Sequence, residues 1–522
     1  MAEKKNKNKG LGVVLSSVKW GIVFFYLFLL SVVHLFFAPE KFYYIGTYKL
    51  LFFERVTIVF LVLSVFLVIL TVVFLPRGIK VKFEVADIAF LAFAGWNIIS
   101  LFVSPYFPDG LLGYETWRMG LLTQLAITAI YFIVKQWANN WKSIIVIAMI
   151  AFTFENILVI LQRLGVDPLG FYEGMGPYDW NRRNLLGTIG NSNWLCGYMI
   201  CLVPVLIWLY LFEEKRVWNI VWEIMVYVSL AALILQGSSS GVVALAGILL
   251  VCFCFATKTY KHFIRLLSIL FMISSFWMIL SLFQVKILEP GSALTTQMFY
   301  SPLWIIPTVI LLAIIISLII WTKRKHKDTL SFTFIRNTRI LIASIIGMGL
   351  IVFIAIQIWG SASDNSIVQR IIIKDTWGSN RIILWKETIK HFFFDTSIKN
   401  ILFGVGPDCY GNWFIDQGIY IPAEGPMRDV VYTNAHNLIL TTLVNTGVIG
   451  VSIYLFMWIS LLVFFLKKKS VSDFAALGIL MIIGMGINGF FSFQQICATP
   501  LFFALLGLVR GMTSQKVFVR NK

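Results

Sequence analysis

Charged side chains are scarce in this sequence. Aspartate, glutamate, lysine and arginine make up only 13% of its 522 residues, whereas 59% are hydrophobic. The mean hydropathy is +0.85. A soluble domain carries roughly twice that share of charge, so no soluble domain is expected. The composition indicates an integral membrane protein.

The N-terminus lacks the small-residue pattern of a signal-peptide cleavage site. Its basic start, "MAEKKNKNKG", leads into a full-length apolar span, which predicts a retained membrane anchor. With about 20 apolar residues for each crossing, the sequence predicts an all-α bundle of about fourteen transmembrane helices. They begin near Trp20, Val56, Val85, Gly120, Ser143, Trp194, Val221, Val242, Leu266, Leu303, Ile340, Leu438, Phe474 and Ala498.

Lysine and arginine are unequally distributed between the two sides of the predicted bundle. If the N-terminus is cytoplasmic, 28 of the 43 basic residues lie in cytoplasmic segments. Seven of the others lie in one long loop, which the positive-inside rule excludes. Both termini are therefore predicted to be cytoplasmic. The net charge of +18 reflects this topology and contact with anionic membrane lipids, so no nucleic-acid partner is expected.

Cysteine and histidine do not occur at metal-binding spacings. Of the six cysteines, only Cys409 lies in a long loop, and the others lie in or beside apolar spans. In such positions a thiol usually acts as a small buried hydrophobic group, so neither a metal nor another cofactor is predicted. The sequence also has no internal repeat, a feature of many transporters.

One connection, from Gly360 to Ala435, is much longer than the others. It divides the chain into a first part of the bundle (1–359), a large extracytoplasmic loop (360–435) and a last part of the bundle (436–522). A loop this long in a compact protein is usually functional. Its segment "SNRIILWKETIKHFFF" predicts an amphipathic helix that could lie flat on the membrane surface. The N-cap would be Ser379 or Asn380, and the apolar side would carry Ile382, Trp385, Ile389 and Phe392 or Phe393.

This loop contains two candidate anion-binding features. Arg381 and Trp385 are four residues apart and would share one helix face, with the guanidinium available for a phosphate and the indole for a sugar or a lipid. Alternatively, Arg381 only reaches from an interfacial helix to water. In "FGVGP", Gly404 and Gly406 could bring backbone N–H groups close to an anion, or they could form an ordinary turn.

The preceding outer segments offer further candidates for substrate binding. Arg182 and Arg183 are adjacent cations that serve no topological purpose in an outer loop, and they suit a diphosphate. Asn191 and Asn193, in "GNSNWLCGY", stand at the mouth of a span, where asparagine also commonly caps a helix. The serines of the tight turn "QGSSSG" could likewise cap the helix that follows.

His436 and Asn437 lie at the start of an apolar span, in "TNAHNLILTTLVNTGVIG". Ionisable groups near membrane depth tend to be functional, and histidine is the side chain best suited to accept a proton near neutral pH. A helix start also offers free amides to an anion. The structural alternative is that these two residues satisfy the free N–H groups of the helix start.

The order of these motifs resembles the bacterial O-antigen ligases and the related O-antigen and capsule polymerases. The resemblance is clearest from about Gly190 to Phe465. It implies a polytopic, metal-independent, inverting glycosyltransferase of the bacterial plasma membrane, with its active site on the outer face. The donor would be a glycan on a polyprenyl diphosphate, and other polysaccharide assembly proteins would be further partners. The resemblance also implies that Arg381 contacts the diphosphate and that His436 is either the base for the acceptor hydroxyl or a diphosphate ligand. Of these two roles we expect His436 to be the base that accepts the proton as the acceptor hydroxyl attacks.

One position departs from the ligase pattern. The tight turn of the ligases usually reads Ser-Arg-Gly, whereas this chain has serine at position 240. Arg182, Arg183 or Arg163 could replace the missing charge, or the substrate is bound differently. We therefore expect a polymerase of surface polysaccharide rather than a ligase. A lipid flippase or glycan transporter is the alternative class, since about fourteen spans would suit one.

Overall fold

The computed structural model describes most of the chain. The described residues are 2–35, 45–75, 83–114, 118–139, 141–174, 185–256, 259–287, 300–326, 328–360, 363, 365–375, 377–421, 431–470 and 472–514. Arg182 and Arg183, two of the predicted diphosphate ligands, lie outside them.

Helices account for nearly all of the described secondary structure. They are α1 (Ala2–Val32), α2 (Ile45–Phe74), α3 (Val85–Val103), α4 (Phe107–Leu112), α5 (Leu121–Trp137), α6 (Trp141–Arg163), α7 (Ser192–Phe212), α8 (Arg216–Leu235), α9 (Ser239–Val251), α10 (Tyr260–Leu282), α11 (Ile305–Lys325), α12 (Phe332–Trp359), α13 (Ser366–Ile371), α14 (Trp377–Phe394), α15 (Ile398–Phe403), α16 (Tyr410–Asp416), α17 (Leu438–Lys468), α18 (Asp473–Gly489) and α19 (Thr499–Ser514). A short antiparallel pair, β1 (Leu185–Leu186) and β2 (Gly190–Asn191), precedes α7.

The predicted all-α polytopic membrane bundle is confirmed. In the described part of the chain, ten helices are long and apolar enough to cross a membrane. Shorter apolar helices occupy the remaining predicted spans, at Leu121–Trp137, Ser239–Cys254, Asp473–Gly489 and Thr499–Ser514. A helix of 16 or 17 residues is only about 25 Å long, slightly less than the hydrocarbon thickness. The number of crossings, the side of each terminus and the boundaries of the three predicted parts stay predictions.

Helix α7 forms the centre of the bundle, with 94% of its most apolar window buried. Its residues from Leu195 to Leu211 are buried on every side, which explains why its sequence is apolar all round rather than amphipathic. The helix packs against α6, α8, α9 and α18. Its N-terminal end therefore has a fixed position at the mouth of the bundle.

The β1–β2 hairpin inserts its tip, Thr188, between helices. Glu155 of α6 accepts two hydrogen bonds from Thr188, one from the backbone N–H at 2.7 Å and one from the hydroxyl at 3.0 Å. Lys49 of α2 donates to the Thr188 carbonyl oxygen, and the Thr188 hydroxyl also contacts the carbonyl oxygen of His34. The cost of burying a lysine and a glutamate is offset by these bonds, and the hairpin holds the start of α7 in place.

Helix α17 is broken at Gly447, whose φ of 72° is not helical. The break exposes three consecutive carbonyl oxygens, those of residues 444–446. Trp96 and Ser100 of α3 donate to two of them, at 2.8 Å to Thr446 and 2.9 Å to Asn445. Backbone N–H groups of the FGVGP turn also donate to Val444 and Asn445. The break is therefore filled by two other segments rather than left unsatisfied.

The large loop has its own hydrophobic core, in which Phe392 is the fully buried member of the predicted apolar face of its main helix, and the rest of that face is corrected. Helix α14 begins two residues before the predicted N-cap, and its most buried positions are Leu384, Thr388 and Phe392, each with no exposed surface. Ile389 and Phe393 are each 43% exposed. The helix turns its Leu384 side toward an aromatic cluster built by the rest of the loop, including Tyr410, Trp413 and Phe414. The sequence pattern alone could not identify that partner.

Candidate active site

The loop that precedes α17 fixes the position of His436. Asn437 caps the helix, accepting hydrogen bonds from the N–H groups of Ile439 and Leu440 at 3.0 Å each. The N–H of His436 donates to Oδ1 of Asn434 at 2.9 Å, and His436 has a left-handed φ of 47°. A non-glycine residue with this backbone conformation is uncommon and is often found at functional sites. Asn437 thus has the structural role, whereas His436 does not cap the helix.

The imidazole of His436 lies between two aromatic rings and lacks a polar partner. Its ring is perpendicular to those of Phe493, at 5.3 Å between centroids, and Tyr432, at 6.3 Å. Its Nδ1 is buried and makes no hydrogen bond in the described structure. Burial, and then the positive charge of Arg381, lower the pKa of His436 to about 3. The side chain is therefore neutral at physiological pH and can still bind a ligand through its nitrogens.

Arg381 provides a cation beside His436. It lies in the first turns of α14 and is partly buried. Its guanidinium makes no hydrogen bond or ion pair with any described residue, and burial lowers the pKa of this group. An uncompensated, partly desolvated charge is costly unless an anion joins it. The two residues predicted to contact the diphosphate are thus brought together.

Trp385 connects α14 to the His436 loop. Its indole N–H donates to the carbonyl oxygen of Ala435 at 2.9 Å, and its ring packs edge-on against Phe490 at 5.4 Å. The predicted contact of the Trp385 indole with a sugar stays a prediction, but its N–H group is already used within the protein.

The serine turn between α8 and α9 lies next to the start of α7. The hydroxyl of Ser240 is 3.3 Å from Sγ of Cys196 and 2.8 Å from the hydroxyl of Ser238. Arg163, at the end of α6, donates to the carbonyl oxygen of Gln236 at 3.2 Å. Arg163, one of the three candidate arginines, therefore brings a cation to the turn that lacks the arginine of the ligases.

The FGVGP turn offers no free N–H group for an anion at Gly404 or Gly406. The N–H of Gly404 donates to Asn400, and that of Gly406 donates to Asn445 at 2.9 Å. A Cβ on Gly404 would overlap the backbone of Asn445, and φ is 84° at Gly404 and 109° at Gly406. Glycine is needed here for close packing against the broken α17, which corrects the anion-binding interpretation.

Asn191 is the N-cap of α7. Its side-chain oxygen accepts the N–H of Asn193 at 2.8 Å, so the capping alternative describes this residue. The side chain of Asn193 is partly exposed at the same mouth, and its proposed contact with substrate is untested.

Two adjoining cavities lie beside His436. The first has many polar lining residues: Asn97, Gln124, Asp408, Asn434, Asn445 and Gln494. The second is more apolar and includes four aromatic side chains: Tyr454, Trp458, Phe502 and Phe503. Phe493 and Gln494 line both cavities, so the His436 ring, which packs on Phe493, stands next to both.

Asp408 is the polar residue of this site that the sequence interpretation missed. Its Oδ2 accepts the backbone N–H groups of Tyr114 and Met119, each at 2.9 Å. These partners are almost 300 positions away in the chain, so no local spacing pattern could predict the contact. The only signal in the sequence is an acidic residue directly after the FGVGP turn.

Residues 306–455 match the family model described as O-antigen ligase. The matched segment includes Arg381, Asp408 and His436. No curated protein matches the chain. The family implies glycan transfer of the ligase or polymerase type in polysaccharide assembly. The match supports the resemblance found in the sequence: residues 306–455 of this multi-pass membrane protein are similar to the O-antigen ligase family.

Proposed function

We propose that the protein transfers a glycan from a polyprenyl diphosphate carrier to an acceptor hydroxyl on the outer face of the bacterial plasma membrane, with both termini in the cytoplasm. The observation that carries this proposal is the pair of Arg381 and His436. A guanidinium without an anion and an imidazole with an unpartnered nitrogen lie together at the mouth of the bundle.

A diphosphate would satisfy both side chains at once. The guanidinium is planar and can donate two parallel hydrogen bonds to phosphate oxygens. The anion would neutralise Arg381, whose charge now lowers the pKa of His436, and it would attract a proton to the imidazole. We therefore assign His436 to the diphosphate rather than to the acceptor hydroxyl, which replaces the role of base expected from the sequence with the other role that the resemblance implies.

The reaction that follows is a single inverting displacement that needs no metal. The acceptor oxygen attacks the anomeric carbon while the bond from that carbon to the diphosphate oxygen breaks, and the electron pair leaves with the carrier. Negative charge grows on the leaving diphosphate, where Arg381 and a protonated His436 would stabilise it. The polyprenyl tail would lie against the apolar helices in the membrane.

We retain polymerase as the proposed activity, although the position of Arg163 makes the absence of an arginine within the serine turn a weaker reason for it. The missing turn arginine favoured a polymerase, but Arg163 lies at that turn and donates to Gln236. The remaining reason is that a polymerase must hold two lipid diphosphates, for which Arg182 and Arg183 are further candidate ligands. Deleting the protein from cells should leave single repeat units on the carrier if it is a polymerase. Full-length chains stranded on the carrier would identify a ligase instead.

Purified protein in vesicles containing a polyprenyl diphosphate glycan tests the transfer itself. Product that forms without movement of glycan across the bilayer supports a transferase, and movement without product identifies a flippase. Arg381→Lys keeps the charge but loses the planar donor, so most activity should be lost, and Arg381→Ala should be inactive. Lys386→Ala is the matched control, because Lys386 lies on the same helix and pairs with Asp375 at the surface. Wild-type activity of Arg381→Ala would contradict the proposed diphosphate site.

A further inference from the structure

The proposed reaction releases a proton from the acceptor hydroxyl, and this inference rests on that function. If His436 is protonated against the diphosphate, it cannot also accept this proton. Another base must then stand within reach of the acceptor oxygen. Aspartate, glutamate and histidine side chains that line the two cavities beside His436 are the groups to consider, and among the lining residues Asp408 is the one carboxylate.

The carboxylate of Asp408 is held with one oxygen bound and the other available. Oδ2 accepts two backbone N–H groups, from Tyr114 and Met119 at 2.9 Å each. Oδ1 makes no hydrogen bond with any described residue, and Asp408 lines the polar cavity. The two N–H groups fix the orientation of the carboxylate without occupying the oxygen that could take a proton.

The same cavity connects Asp408 with the proposed diphosphate site. The cavity is lined by Asn434 and Phe493. Asn434 accepts the N–H of His436 at 2.9 Å, and the His436 imidazole packs on Phe493. Gln124 and Gln494 are joined by a 2.6 Å hydrogen bond on the cavity wall. Amide groups of this kind suit the hydroxyls of a sugar. The cavity thus offers a place for an acceptor hydroxyl beside the proposed diphosphate site.

We propose that Asp408 is the catalytic base of the transfer. Its Oδ1 takes the proton of the acceptor hydroxyl as the hydroxyl oxygen bonds to the anomeric carbon. The O–H bond and the bond from carbon to diphosphate oxygen break in the same step. The products are the new glycoside, the free polyprenyl diphosphate and a protonated Asp408, which returns its proton to water.

The pKa of Asp408 fits the role of a general base. Burial raises the pKa of Asp408 to about 7, against the opposing effect of its two N–H partners, and a base is most effective when its pKa lies near the working pH. Nearby titratable or charged groups are Cys409, the next residue, Asp109 of α4, Arg118 beside Met119, and His436 beyond Asn434.

The test is Asp408→Asn in the full chain, assayed in vesicles with a polyprenyl diphosphate glycan. Asparagine keeps the shape and can still accept both backbone N–H groups, so the fold should persist. We expect turnover to fall by at least about 100-fold, the usual contribution of a general base, with the donor KM nearly unchanged. The wild-type rate should rise with pH through about 7, because the base must be deprotonated, and the variant should lose this dependence. Asp416→Asn, a change at an exposed aspartate bound to Tyr106 in the same loop, should behave as wild type.

Wild-type turnover of Asp408→Asn would reduce Asp408 to an anchor for residues 113–120 and overturn the inference. If the variant does not fold, a wild-type rate that is independent of pH around 7 would equally exclude Asp408 as the base. Neither result would affect the proposed transfer, which fails separately if Arg381→Ala is active.

Discussion

Trp385 donates its indole N–H to the carbonyl oxygen of Ala435 at 2.9 Å. This single bond joins the helix that carries Arg381 to the loop that carries His436, across 50 positions of sequence. The relative placement of the cation and the imidazole therefore depends in part on a side chain whose nitrogen is bonded within the protein.

Trp385→Phe should reduce transfer while leaving the protein folded. The ring can still pack on Phe490, but a hydrogen bond worth about 1 kcal/mol is lost, so we expect turnover to fall by roughly 3- to 10-fold. Initial rates in vesicles would measure this change. Trp359→Phe alters an indole that is 72% exposed and serves as the control. Equal activity of both variants would mean that the bond does not position the site.

Protonation of His436 should make the binding of the donor depend on pH. Without ligand the pKa of His436 is about 3, and a bound diphosphate raises the pKa. Binding therefore takes up a proton, so donor affinity should increase as the pH falls and weaken as the pH rises through the pKa of the bound form. Dissociation constants of a polyprenyl diphosphate measured between about pH 5 and 8 would reveal this slope. His436→Ala should bind more weakly, with a flatter profile, and an unchanged profile would exclude His436 as a ligand.

Gly404 and Gly418 make a matched pair for the stability of the large loop. Both have positive φ, 84° and 60°, but a Cβ on Gly404 would overlap the α17 backbone, whereas Gly418 has open space around it. Alanine at Gly418 should cost about 1–2 kcal/mol through strain alone. Alanine at Gly404 should add a further 1–3 kcal/mol or so of overpacking. Thermal unfolding of the purified variants would separate them, and equal melting temperatures would disprove the close approach to α17.

A charged cluster around Arg510, near the C-terminal end of α19, should contribute strongly to stability. Arg510 has no exposed side-chain surface and lies 2.9 Å from Glu84 and 3.6 Å from Asp87, which also pairs with Lys135 at 2.7 Å. Removing one partner of a buried pair costs about 3–5 kcal/mol, so Arg510→Met should lower the yield and the melting temperature. Lys261→Met, which breaks an exposed pair with Glu214, should change stability by no more than about 1 kcal/mol. Similar losses in both variants would contradict this ranking.

The sequence predicted features that depend on local composition. Apolar runs located the helices because a membrane span needs one long apolar segment, and the ordered motifs around Arg381 and His436 identified the family. The helix caps were also foreseeable, since Asn191 and Asn437 each bond to amides only two or three positions away.

Features that depend on distant partners were not predicted. The buried side of α14 runs through Leu384 because an aromatic cluster formed by later loop residues covers it. Gly404 is required by a helix break about 40 positions later, and Asp408 is oriented by amides that precede it by almost 300 positions. Each of these relationships is a contact between segments that periodicity cannot connect.

The break at Gly447 also bears on how far the family domain can be treated as a separable unit. Trp96 and Ser100, outside residues 306–455, hold two of the carbonyl oxygens that the break leaves open. Transplanting the matched segment alone into another membrane scaffold would leave Asn445 with its bond from Gly406 but would strand the Thr446 oxygen in a nonpolar surrounding, at a cost of roughly 1–3 kcal/mol. A functional chimera would have to carry α3 with it, so the smallest exchangeable piece of this protein is discontinuous in sequence.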